Sequence, residues 1–301
     1  MHSIGGICFS ILSFHRTVKM NEGRTTFKHD PRRLSTCLLN RSKKWWIATT
    51  ATKVGSVVVG ALSVILFPTF KLTAILLFLL YVASEVFAWR TDSFKGSAQS
   101  VLRKLDFWDS FGWPISREEM SDLIVGCPAR LRKQIPPPGE DDYFSSGESP
   151  GATRALENLQ ESSWWSKHLA KRMSQVTMTV AVSFIGGSLI VLLISINTIS
   201  SLDTLASIGR VVTSALMLVL SLGLFRLTLG YYAFERKAEH AEKESLRLLT
   251  SGCDELEAVK AWQEYQVARS TAPPIPTSLW NLMKADLNAA WRAYRSAARD
   301  D

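Results

Sequence analysis

Residues 176–196, VTMTVAVSFIGGSLIVLLISI, form an apolar run of 21 residues without one charge. A helix of that length rises about 30 Å, the thickness of the hydrocarbon core of a bilayer. Three more runs of similar length occur at 46–67, 72–89 and 211–232. A single run of this kind fits a buried helix of a soluble protein. Four of them in two close pairs point to the membrane instead. The first pair is separated only by Pro68, Thr69, Phe70 and Lys71, a tight turn marked by proline. The second pair is separated by a Ser/Thr-rich stretch at 197–210. The sequence therefore predicts an all-α fold with four transmembrane helices arranged as two hairpins. Five segments follow: a basic, cytoplasmic N-terminal segment 1–44, a first hairpin 45–90, a cytoplasmic helical insert 91–173, a second hairpin 174–232 and a cytoplasmic helical tail 233–301.

The apolar runs explain an otherwise ambiguous composition. The chain has 301 residues, 47% hydrophobic and 21% charged, with a net charge of +8 and a mean hydropathy of +0.07. Length alone would suggest about two soluble domains. The apolar content excludes general disorder, and four scattered cysteines exclude a disulfide-stapled secreted domain. The charge has an address. Residues 1–44 carry nine Lys/Arg against two acids, 90–173 twelve against twelve, and 232–301 ten against eleven. The excess sits beside the first run, which fits an inner membrane flank and not a nucleic-acid-binding face. Both termini and the insert are thus expected in the cytoplasm. Trp45, Trp46, Trp89, Tyr231 and Tyr232 sit at the expected inner ends of the runs, where aromatic anchors belong. The apolar stretch 4–14 is a poor signal peptide, since no positive charge precedes it and no small-residue cleavage site follows. Met20 as the true start, or an interfacial helix, are the other readings.

The polar regions read as helices. Residues 31–44 form a short basic helix, and the period of Val101, Leu102, Leu105, Phe107 and Trp108 continues the second run to about residue 110 as one rod. Ser116 and Glu119 form a capping box. Residues 136–151, rich in Pro, Gly, Ser and acids, form a loop. A helix from Ala152 leads into the third run, and the fourth continues as a charged helix over 233–249. A further helix covers 254–269. Pro273, Pro274 and Pro276 break it before an apolar stripe from Leu279 to Tyr294.

Catalytic chemistry has no visible signature. The five histidines are far apart, no phosphate-cradling glycine loop occurs, and no nucleophile motif is present. Neither an enzyme nor a cofactor is expected. Three ionisable residues do lie inside the runs: Lys53, Glu85 and Arg226. Such groups are costly at membrane depth and usually face a bundle interior or a water path. Lys53 and Glu85 lie 16 residues either side of Thr69, so they fall level in a straight hairpin and are expected to pair. Arg226 faces the level of Thr177, Thr179 and Ser183, where it could bond hydroxyls, reach Glu85, line a pore or snorkel to the interface. Small residues at four-residue spacing (Thr52, Ser56, Gly60 and Ser183, Gly187) allow close helix approach.

The layout resembles a known family on three motifs. The first is Leu105, Asp106, Phe107, Trp108 and Asp109 with Gly112 and Trp113. The second is Leu156 to Ser162 followed by Trp164 and Trp165. The third is Arg269 to Pro276 followed by Trp280. These resemble the SMODS-associated four-transmembrane effectors of bacterial conflict systems, over about residues 31–298. The resemblance implies an inner-membrane, homo-oligomeric, pore-forming antiviral effector. Its trigger would be a cyclic nucleotide made by a partner nucleotidyltransferase. Asp106, Trp108, Asp109, Trp164, Trp165 and Arg269 are then candidate signal or partner contacts, with a solvated face or ordinary packing as the plainer alternative. The three prolines are a candidate hinge. Rival expectations are a non-conducting membrane-anchored sensor or scaffold, and a membrane-embedded enzyme or transporter subunit.

Overall fold

The computed structural model describes residues 31–66, 72–133, 135, 144–199, 201–252 and 254–300. The stretch 4–14, Met20, the turn 68–71 and residues 136–143 of the loop 136–151 fall outside these residues. Among the described residues every regular element is an α-helix: α1 Pro31–Leu66, α2 Thr73–Phe111, α3 Arg117–Val125, α4 Ala129–Arg132, α5 Ala152–Thr198, α6 Leu202–Ser221, α7 Leu224–Ser251, α8 Glu255–Thr271 and α9 Thr277–Asp300. The rods expected from the sequence form as continuous helices. α2 runs from the second apolar run to Phe111, and α5 carries 152–198 without interruption. Ser116 caps α3 with both bonds of the capping box, and Asp254 caps α8 through the Glu257 amide at 2.8 Å.

Two antiparallel helix pairs make the framework. α1 lies along α2, with the Ser42 hydroxyl donating to the Thr91 carbonyl at 2.9 Å. The rings of Trp45 and Phe87 are 5.3 Å apart, and a Cβ on Gly60 would sit 3.9 Å from Leu77. α5 lies along α7, where the Thr228 hydroxyl donates to that of Thr177 at 2.8 Å. α8 packs across the polar half of α5, and the Trp262 indole donates to the Ala155 carbonyl at 2.6 Å.

Burial reverses along the molecule. In the polar half, Leu156, Leu159, Trp262 and Tyr265 are at most 1% exposed. Burying each such side chain contributes about 1.5–3 kcal/mol in water. In the apolar run of α5 the pattern inverts. Val182, Ile190, Leu193 and Ile194 are 57–61% exposed, whereas Thr177, Ser188 and Ser195 are buried. Water would penalise that surface; a lipid solvent accepts it, because there the polar groups gain from facing inward. Among the described residues three helical stretches are long and apolar enough to cross a membrane: Ala74–Phe111, Ala152–Thr198 and Leu202–Ser251.

Two expectations about the spans are met only in part. The first run lies in α1 but is not one of the three stretches. Thr49, Thr50, Thr52, Lys53 and Ser56 dilute its described residues. The fourth run is not one straight helix, because it breaks at Leu222 and Gly223 between α6 and α7. Gly223 takes a left-handed conformation, φ +62°, which only glycine adopts without cost. Across the break the Leu222 amide donates to the Leu218 carbonyl, the Gly223 amide to that of Leu220, and the Leu227 amide to the Gly223 carbonyl at 2.8 Å. The expected loop 197–210 is mostly helix as well. α6 begins at Leu202, capped by Ser201. The glycines of the α5 small-residue stripe pack against nothing among the described residues, since a Cβ at Gly186 or Gly187 would meet open space.

Candidate functional site

The polar residues singled out in the sequence gather where the polar helices meet the apolar rods. Asp106 sits on α2, one turn before its end, with 2% side-chain exposure. Arg269, on the last turn of α8, forms an ion pair with it. The Gln266 amide donates to the same oxygen at 3.3 Å. Burial pushes the Asp106 carboxyl above the ordinary carboxylate range, and the Arg269 guanidinium beside it pulls the other way. Two residues 163 positions apart are thus one unit. One turn on, Asp109 pairs with Arg32 of α1, and its carbonyl accepts from Arg154 of α5 at 2.6 Å. Asn158 donates to the Ser110 hydroxyl at 3.2 Å. The C-terminal end of α2 is therefore tied to α1, α5 and α8 together. Trp108 is half-buried against the cluster of Leu34, Leu38, Val101, Leu105 and Met120.

Trp164 and Trp165 form the heart of an aromatic cluster. Trp164 meets Trp291 at 5.2 Å between centroids, and Trp165 meets Trp280 at 5.0 Å. They are only 6% and 4% exposed, so neither face is open to stack a base. Their task is to dock α9 on α5. The plainer reading, packing, is the one the geometry favours.

The proline segment is fastened to the helices around it. The Tyr231 hydroxyl of α7 donates to the Pro274 carbonyl at 2.6 Å. Lys95 of α2 donates to the Ala272 carbonyl at 2.6 Å, and Lys43 of α1 reaches the Thr277 hydroxyl at 3.4 Å. Gly230 lets Pro273 approach so closely that a Cβ there would stand 3.0 Å from its ring. Burial depresses both lysines below their ordinary value. Residues 272–277 thus form a strap fastened to three helices where the apolar zone meets the polar half.

The intramembrane charges are placed differently from the expectation. The contacts Ser42–Thr91 and Trp45–Phe87 set the α1–α2 register so that Lys53 lies nearer the level of Tyr81 than of Glu85. Among the described residues no ion pair joins Lys53 and Glu85. Lys53 is half-buried, whereas Glu85 and Arg226 are both exposed. Thr228, not Arg226, supplies the bond to Thr177.

Several functional contacts carried no readable signal. Glu161 is 3% exposed and accepts from the Ser145 amide at 3.0 Å and the Ser145 hydroxyl at 2.5 Å. Arg295 of α9 donates to the Ser145 carbonyl at 3.0 Å. Burial pushes the Glu161 carboxyl upward. Cys37 and Cys127 share one core cluster, both as thiols. Among the described residues no three His, Cys, Asp or Glu side chains gather to hold a metal. No protein-family model, curated protein or solved structure matches the chain.

Proposed function

We propose that the protein is a four-span, homo-oligomeric membrane effector that permeabilises the bilayer when its cytoplasmic helices receive a signal. The observation that carries this reading is the placement of Glu85 and Arg226. Glu85 lies four residues from Trp89 and Arg226 six from Tyr232, about 6–9 Å inside these two exposed aromatic anchors. Both are exposed on a single chain, and neither takes part in an ion pair among the described residues. Charges at that depth are tolerated when they face a water path or other protein. Assembly around a conducting path supplies both. The strap and the Asp106–Arg269 pair join the tail to α2 and α7, so an event in the tail reaches the spans. Under this reading both hairpins cross an inner membrane, with the termini, insert and tail in the cytoplasm. The resemblance to the SMODS-associated effectors supplies the class of trigger, a cyclic nucleotide.

The test is inducible expression in bacterial cells carrying a membrane-potential dye, with and without a co-expressed cyclic-nucleotide synthase. The reading expects depolarisation and growth arrest that the synthase strengthens. Intact potential and normal growth in both arms would overturn it. The fastened strap also fits a second reading, a non-conducting sensor that recruits a cytoplasmic partner. That reading expects Arg226→Ala to leave function intact while removal of α9 abolishes it.

A further inference from the structure

A groove of about 410 Å³ opens between α5 and α7 where the apolar runs begin. Its wall changes character along the helix axes. Gln175 and Thr179 add amide and hydroxyl groups to the lining, the hydroxyls of Ser174 and Thr228 being bonded to the Thr228 carbonyl and to Thr177, whereas Met178 and Leu229 are apolar. Tyr232 closes the cytoplasmic end. One turn deeper on the same helix faces, Val182 and Phe225 are 57% and 43% exposed and extend an apolar track into the membrane zone. One turn toward the cytoplasm, the guanidinium of Arg236 lies over the Tyr232 ring at 5.9 Å. It also touches Glu239 at 3.4 Å through a largely exposed ion pair, which leaves it open to other anions. Lys171, exposed, stands one turn before Gln175 on the facing helix.

We infer that this groove binds one anionic phospholipid of the cytoplasmic leaflet, which deepens the membrane-spanning reading and rests on it. The order of groups matches that molecule from end to end. Arg236 and Lys171 meet the phosphate, Gln175 and Thr179 donate to the glycerol and ester oxygens, and an acyl chain follows Met178, Leu229, Phe225 and Val182. A zwitterionic lipid offers the same chain but cancels the phosphate charge with its own cation. A soluble phosphate lacks the chain. The groove straddles the α5–α7 contact just below the strap held by Tyr231, so the bound lipid braces the two helices on which the tail is fastened.

The test uses the full chain, extracted from membranes in detergent and examined by native mass spectrometry with phosphatidylglycerol or phosphatidylcholine added. Wild type is expected to retain one phosphatidylglycerol about tenfold better than phosphatidylcholine. Lys171→Glu with Arg236→Glu removes the preference, and Lys171→Arg keeps it. Met178→Trp, which fills the groove without changing charge, lowers retention of both lipids. It keeps the inference testable should the charge reversal fold poorly. Glycerol phosphate without chains is expected not to compete. Equal retention of the two lipids by wild type, or an undiminished preference in the charge-reversed protein, would overturn the lipid site. Recovery of the chain in the soluble fraction before extraction would instead overturn the membrane reading beneath it.

Discussion

Asp106 and Arg269 show how a side chain gains its role from a partner distant in sequence. With Asp106 2% exposed, deleting Arg269 strips the buried carboxyl of its guanidinium partner, at a cost of about 3–5 kcal/mol. Asp106→Ala and Arg269→Ala are each expected to lower the thermal midpoint in detergent by many degrees. Asp106→Leu with Arg269→Met is expected to recover most of the loss, and strict additivity of the single effects would contradict the coupling. Glu161 gives a pH prediction. Its folded carboxyl titrates above the ordinary glutamate value of 4.5 because of burial. The protonated form therefore suits the fold, and stability is lost as pH rises through the raised value. Glu161→Gln keeps an acceptor for Ser145 without the charge. Its advantage over wild type is expected to grow from about pH 4.5 upward and then level off. Unfolding midpoints across pH check this, and a gap that widens toward acid would contradict it. The sequence marked Asp106, Asp109 and Arg269 as candidates because acids flank a tryptophan beside the membrane and an arginine precedes a proline break. It held no sign that Asp106 would meet Arg269, because pairing across 163 residues is a property of packing, not of local pattern. Glu161 and Tyr231 were opaque for the same reason.

Helix continuity was the most legible feature, because the 3.6-residue period extends unbroken from apolar run to polar helix in both α2 and α5. The break at Gly223 was not legible, since a lone glycine in an apolar run is commonly tolerated within a helix. Its left-handed conformation makes Gly223→Ala cost about 1–2 kcal/mol if the break persists. A straightened α6–α7 rod is the alternative outcome. A spin-label pair placed on α6 and α7 is expected to report an unchanged distance and a lower midpoint, and a lengthened distance would show that Gly223 alone holds the kink. The strap gives a second element-scale prediction. Tyr231→Phe removes the donor to the Pro274 carbonyl, a bond worth about 1 kcal/mol. Residues 272–277 should then be cut several-fold faster by protease while the rest of the chain resists. Unchanged cleavage would show that Lys95, Lys43 and the Gly230 contact suffice to hold the strap.

At the scale of the whole molecule, the reversal of burial unites the observations. A water-facing helical assembly with tryptophan and leucine inside continues into rods whose leucines and isoleucines face outward. Composition alone averaged these two halves to a mean hydropathy of +0.07. The runs in the sequence separated them, and the structure adds how they are joined: through the end of α2, the strap and the α5–α7 contact. Registers set by side-chain contacts, such as the offset of Lys53 from Glu85, lay beyond spacing arithmetic that took the turn as symmetric. The exposed Glu85 and Arg226 carry the functional claim, and ion flux tests it most directly. Purified protein reconstituted into potassium-loaded vesicles is expected to release potassium on activation. Arg226→Ala, inserted to the same level, is expected to release at least tenfold less. Vesicles that stay sealed around fully inserted, signal-treated wild-type protein would contradict the account.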